Sequence, residues 1–215
     1  MSLKIKALCL GIAQTNTYLI ADTDTQEAIL IDPVDEPHTL FAMASEEGWQ
    51  IKLILATHAH FDHVLASKGL VELTGAPFYI HQEAAPFLAN LPETGLRFVG
   101  SRFPAAAEPT HLLTANEVVQ LGAIQLKALY TPGHAPGHLS FLMEREQVVF
   151  SGDSLFAGTI GRTDLPNANL ATLLESIRTQ LFTLPDSVTV LPGHGRPTTI
   201  GQERQTNPYL VLSSE

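Results

Sequence analysis

The sequence predicts an α/β sandwich, two β-sheets packed face to face with helices outside them. Short apolar runs alternate with turn residues from the N-terminus onward, and helically spaced stretches follow strands in both halves of the chain. In addition, Ile51-Lys52-Leu53-Ile54-Leu55-Ala56 is nearly all apolar, as a strand covered on both faces must be. With 215 residues, 45% hydrophobic and 16% charged, the chain can bury one sizeable core, and a single domain over 1–215 is expected.

The elements follow in order. Leu3 to Leu10, Thr17 to Ala21 and Ala28 to Ile31 read as successive strands, the last closed by Asp32-Pro33. Pro37 opens a helix through Glu47, with Leu40, Phe41 and Ala44 at helical spacing and Gly48 as its stop. The strand from Ile51 to Ala56 leads into a His-rich segment. A helix through Leu65, Leu70 and Leu73 then ends at Gly75, before a short strand at Phe78 to His81. Between Asn90 and Pro109, prolines, Gly95, Gly100 and weak periodicity predict an irregular surface excursion that covers part of the site. Strands are expected near Glu117 to Gln120, Ile124 to Leu129, Leu139 to Met143 and Val148 to Ser151. A helix from about Ala171 to Leu181 and a strand at Val188 to Leu191 complete the pattern.

Charge and cysteine content narrow the function. Lys and Arg number 12 against 22 Asp and Glu, and the net charge of −10 repels a phosphate backbone, so no nucleic-acid partner is expected. The single Cys9 rules out an internal disulfide, and the strand around it suggests a small buried apolar role. The opening Met1 to Lys6 lacks the apolar core of a secretory signal, and no apolar stretch approaches the roughly 20 residues that cross a bilayer. The expectation is a soluble cytoplasmic protein without a membrane partner.

The chemistry is concentrated in Thr57-His58-Ala59-His60-Phe61-Asp62-His63. In an extended segment, side chains two apart share a face, so His58 and His60 can converge on one cation with Asp62 continuing along that side, while His63 turns to a second. Nine histidines are spread over the whole chain, so three within six residues beside an aspartate are not a chance cluster. His134 in Thr131-Pro132-Gly133-His134, Asp153 in Ser151-Gly152-Asp153 and His194 in Pro192-Gly193-His194 each end a strand or sit in a Gly/Pro turn. Together these positions supply five histidines and two aspartates, enough for a dinuclear centre. Imidazole and carboxylate ligands suit zinc, and also iron or manganese, so ligand type alone does not choose among them; zinc is the expected metal.

In this order of motifs the chain resembles the metallo-β-lactamase superfamily. The resemblance implies a four-layer αββα sandwich, one metal held by His58, His60 and His134, a second by Asp62, His63 and His194, and Asp153 as the bridge. Ser151-Gly152-Asp153-Ser154-Leu155-Phe156, Gly161-Arg162-Thr163-Asp164-Leu165-Pro166 and the Gly201-Gln202-Glu203 to Asn207-Pro208-Tyr209 ending are similar to the glyoxalase II group. Within it, the short bacterial form without a C-terminal helical domain is the best match. The resemblance implies a small-molecule thioester as substrate, S-lactoylglutathione or a related hydroxyacylglutathione, with Asp62 orienting the nucleophile and Arg162 recognising an anionic group. An Arg162–Asp164 pair is the structural alternative.

A mononuclear iron persulfide dioxygenase of the same superfamily, using His60, His134 and Asp153, is the principal competing expectation. A lactonase-type hydrolase or a non-catalytic metal-binding module ranks behind it. His138 is expected to act indirectly on the His134 loop, whereas His38, His81 and His111 lack the ligand context. Asn16 and Tyr18 are expected either to reach the site from the first sheet or to serve in strand packing.

Overall fold

The computed structural model describes residues 2–211. The first sheet contains β1 (Leu3–Leu10), β2 (Thr15–Asp22), β3 (Glu27–Ile31), β4 (Gln50–Leu55), β5 (Phe78–His81) and β6 (His111–Leu113), in that spatial order. Hairpins make β1, β2 and β3 antiparallel, whereas β3 to β6 run parallel because α1 (Pro37–Ser45) and other crossovers intervene. Between β4 and β5 lie a one-turn helix α2 (Phe61–Val64) and α3 (Ser67–Thr74), the latter stopped by Gly75 in the left-handed conformation.

A helix stands inside the expected irregular excursion. A 3-10 turn at Ala85–Asn90 runs into α4 (Leu91–Val99), with Pro92 in the first turn, where a missing N–H costs nothing, and Gly100 closing it. Gly95 is tolerated within α4 because the chain returns against it: a Cβ there would meet the backbone N of Phe103 and the carbonyl of Ser101, both at 2.5 Å. The punctuating residues that suggest a loop therefore serve close packing. Part of the excursion does flank the site, as described below.

The second sheet is ordered β14 (Thr198–Thr199), β13 (Thr189–Pro192), β10 (Val148–Gly152), β9 (Leu139–Met143), β8 (Ile124–Tyr130) and β7 (Val118–Leu121). A small hairpin, β11 (Leu155–Phe156) and β12 (Thr159–Ile160), leaves the end of β10. The expected helix at 171–181 begins as α5 (Leu170–Ser176), capped by the Asn169 side chain, and finishes as a π turn over Ile177–Leu181. The chain then adds α6 (Ile200–Thr206) and α7 (Pro208–Val211).

Strand parity explains the layers. In β2 and β3, Leu19, Ala21, Ala28 and Leu30 face a core shared with Leu40 of α1 and Leu70 of α3. Their neighbours Tyr18, Ile20, Ile29 and Ile31 face the opposite way, into a core shared with Leu126, Phe141 and Phe150 of the second sheet. The outer face of that sheet buries Leu142, Val149 and Val190 against Leu173, Ile177, Ile200 and Leu210. The result is the four-layer αββα sandwich. Cys9 departs from expectation: it is exposed, because β1 is an edge strand with one uncovered face. No helix among the described residues is long and apolar enough to cross a membrane.

Candidate metal centre

The predicted residues meet where strands of the two sheets end. His58 and His60 stand on the extended stretch after β4, Asp62 and His63 on the single turn of α2. Because a helix begins at Phe61, Asp62 does not continue along the His58–His60 face, contrary to the extended-segment expectation. His134 comes from the loop after β8, Asp153 from the end of β10, and His194 from the loop after β13.

Three groups of ligand atoms gather here, each within 4.8 Å: His58, His60 and His134; Asp62, His63 and His194; and His58, His63 and Asp153. His60 Nδ1 lies 3.0 Å from His58 Nε2 and 2.8 Å from His134 Nε2. Asp153 spans the two sides, with Oδ1 3.3 Å from His63 Nε2 and Oδ2 3.4 Å from both His134 Nε2 and His194 Nε2. Thus all seven predicted ligand positions converge.

The outward nitrogens are anchored, which fixes what faces inward. Thr57 Oγ1 donates to Asp32 Oδ2 at 3.0 Å and so can only accept from His58 Nδ1–H, leaving the His58 Nε2 lone pair on the cluster side. His134 Nδ1 donates to the carbonyl of Arg162 at 2.8 Å, with the same consequence. His63 Nδ1 donates to Asp32 Oδ2 at 2.8 Å, a carboxylate–histidine pairing that also orients metal-ligating imidazoles. Asp32, which sequence reasoning treats as a strand-ending turn residue, therefore holds one histidine from each group, and its Oδ1 accepts from the Thr57 backbone at 2.7 Å. Its only sequence signal is an acidic residue before Pro33 at the end of an apolar strand.

Neighbouring residues support the same frame. His138, expected to steady the His134 loop, donates from Nδ1 to Thr131 Oγ1 at the start of that loop, and it also receives the backbone N–H of Asp153 on Nε2 at 2.9 Å. Asn16 Nδ2 and Tyr18 OH both donate to the carbonyl of Pro192, so they brace the His194 loop from the first sheet. Gly193 is required by close approach: a Cβ there would collide with Asp153 Oδ1 and lie 2.8 Å from His63 Cε1. Arg162 points outward, its Nε and one terminal nitrogen each 2.8 Å from Asp164, while only its carbonyl touches the cluster.

Electrostatics match a cation site. Burial pushes His58 well below the usual imidazole range and His60 down to about 4, with nearby imidazoles adding to both shifts. Burial opposes ionisation of Asp62 and Asp153, but positive His63 overcomes it, leaving Asp62 at about 2 and Asp153 well below the carboxylate range. Burial also opposes charge on His63 and His194, yet the surrounding carboxylates raise both, His194 to about 10. His63 Nε2 and Asp153 Oδ1 are buried without a hydrogen-bond partner. Facing lone pairs, ionised carboxylates and two orphaned polar atoms are what divalent cations would satisfy, so this donor set fits a metal.

Comparison with known proteins agrees with this chemistry. Residues 10–194 match the metallo-beta-lactamase superfamily model. The hydroxyacylglutathione hydrolase GloC of Haemophilus influenzae is 39% identical over 202 residues, covering 94% of this chain and 95% of that protein. Among solved structures, the BLEG-1 B3 metallo-beta-lactamase has a TM-score of 0.90 at 37% identity, covering 96% of this chain and 99% of that one. TTHA1623 in a di-iron-bound form has a TM-score of 0.86 at 39% identity, covering 95% and 100%. ETHE1 from Myxococcus xanthus has a TM-score of 0.81 at 31% identity, covering 98% and 86%. The ligand geometry and a family match running from β1 to the last predicted histidine lead to one conclusion, that the chain belongs to the metallo-beta-lactamase superfamily.

Proposed function

We propose that this chain is a dinuclear-metal hydrolase that cleaves a thioester, S-lactoylglutathione or a related hydroxyacylglutathione. The observation that carries the dinuclear reading is Asp153, whose two oxygens face different imidazoles, one toward His63 and the other toward His134 and His194. In this reading His58, His60 and His134 hold one cation, Asp62, His63 and His194 the other, and Asp153 is shared. Zinc is the first choice, and the di-iron form of TTHA1623 supports iron as the alternative. The thioester reading is supported by similarity to the Haemophilus hydroxyacylglutathione hydrolase along nearly the whole of both chains.

Bound divalent cations supply an acidified water and a Lewis acid for a carbonyl. The residues of the chain supply orientation. Thr15 Oγ1 donates to Asp62 Oδ2 at 2.7 Å and aims that carboxylate, which His63 above all keeps ionised, so Asp62 is the group we assign to align the attacking water. Asp32 keeps the inward lone pair of His58 available through Thr57 and fixes the orientation of His63 directly. A thiolate is a good leaving group, and no strong general acid is needed. Arg162 is assigned to an anionic group of the substrate. Its partner Asp164 is exposed, and exchanging one exposed ion pair for another costs little.

The test is turnover of S-lactoylglutathione, simple thioesters and glutathione persulfide, with metals and oxygen uptake measured on the same preparation. Thioester hydrolysis with two metals per chain is expected. One iron per chain with rapid oxygen uptake on the persulfide would establish the dioxygenase instead, a reading in which His58, Asp62, His63 and His194 hold no second metal.

A further inference from the structure

Beside the metal centre lies a pocket of about 250 Å³ that shares one wall residue with it, Asp62. The end of β1 and the turn after it contribute Leu10 and Ile12, α2 and its exit contribute Phe61 and Leu65, and the α4 region contributes Val99 and Phe103. The Phe61 and Phe103 rings stack with centroids 5.3 Å apart. At 72% and 43% exposure, Ile12 and Val99 leave apolar surface open to water from two separate elements that both line this pocket. The charged side chains among its lining residues are both acidic, Asp35 and Asp62.

We propose that this pocket is a subsite for an apolar substituent of the thioester, an alkyl or aryl group carried on the acyl carbon or on the thiol. The inference rests on the thioester reading and narrows it. A scissile carbonyl at the metal centre would lie next to Asp62, and because Asp62 also lines the pocket, a substituent on that side of the carbonyl would be directed toward it. Apolar walls favour a hydrocarbon there, and the two carboxylates repel an anionic tail, which must lie outside the pocket. The excursion that carries α4 is thereby a specificity element.

Two substrate series test this with the metal-loaded enzyme. One varies the acyl group from acetyl through butyryl and hexanoyl to octanoyl on glutathione. The other keeps a lactoyl group and varies the thiol from a short to a long alkanethiol. Each methylene that enters the pocket should raise kcat/KM by about fourfold, the ratio set by methylene transfer from water, until the pocket is full. A rise in the acyl series identifies the acyl carbon as the source, and a rise in the thiol series identifies the thiol. Val99→Trp, which fills the pocket, and Ile12→Ser, at a position exposed enough to spare the fold, should each lower the hexanoyl-to-acetyl ratio at least threefold to fourfold. Cleavage with both series flat, or ratios unmoved in both variants, overturns the subsite and leaves the hydrolase standing. No cleavage of any thioester overturns both.

Discussion

Asp32 holds both halves of the metal centre with one buried carboxylate, reaching His58 through Thr57 and His63 directly. Its backbone has φ 58, a left-handed conformation that asparagine also tolerates, so Asp32→Asn alters the chemistry with little strain. The amide presents an N–H where an oxygen now accepts, and it cannot satisfy Thr57 and His63 together. Asp32→Asn should retain the fold and weaken metal binding about 10- to 100-fold, as measured by competition with a chromogenic chelator. Unchanged affinity would remove Asp32 from the positioning role. The convergence of the seven candidate positions was legible in the sequence because imidazoles beside an aspartate have few structural uses in the density seen from His58 to His63, and because His134, Asp153 and His194 each end a strand or sit in a Gly/Pro turn. Asp32 was not, since an Asp-Pro pair at a strand end has an ordinary turn explanation. Cys9 misled for a related reason, because an apolar strand pattern does not say which strand lies at the edge.

At the scale of elements, α6 governs the loop that supports His134. Glu203, 1% exposed, accepts from the Gly158 backbone at 2.9 Å, from Thr198 Oγ1 at 2.6 Å and from Asn207 Nδ2 at 2.8 Å, while Asn207 also donates to the carbonyl of Thr159. These bonds pin the β11–β12 hairpin, which leads directly to Gly161 and the Arg162 carbonyl that receives His134. Glu203→Ala leaves the buried Asn207 amide without this acceptor and releases the Gly158 and Thr198 donors nearer the surface, and should lower stability by about 1–3 kcal/mol. In urea this appears as a lower midpoint with an unchanged slope. No displacement of the midpoint would mean that water replaces the carboxylate. Two-residue strands such as β11 and β12 are too short to leave a period in the sequence, and the short helices after β14 gave no clear pattern. The long apolar strands were legible because burial on one face writes itself into alternate residues and burial on both faces into an unbroken apolar run.

For the molecule as a whole, a net charge of −10 meets a centre whose carboxylates are already ionised, so bound cations relieve repulsion as well as joining the sheets. Chelation should therefore lower the calorimetric unfolding temperature, and added zinc should restore it. At free metal one hundred times the dissociation constant, the stabilisation amounts to about 2.7 kcal/mol per site. An unfolding temperature indifferent to chelator would indicate that the protonated histidines alone balance the acids. The layered class was readable from strand and helix alternation. The sheet order was not, because β13 inserts parallel to β10 after a long excursion, and pairing across such a distance leaves no local mark.

The seam between the sheets is also closed by backbone: the Asn16 N–H donates to the Gly193 carbonyl at 2.7 Å, and Thr15 bridges His194. In kinetic terms this makes the centre a late event. Its ligands are scattered from residue 58 to residue 194, and loop closure over that span must precede any convergence. A nascent chain that has completed only the first sheet exposes His58 and His60 without their partners, and holds metal weakly. A cation held by ligands from both sheets would therefore need the last strands docked, and its expected effect is a slower unfolding rate at unchanged folding rate.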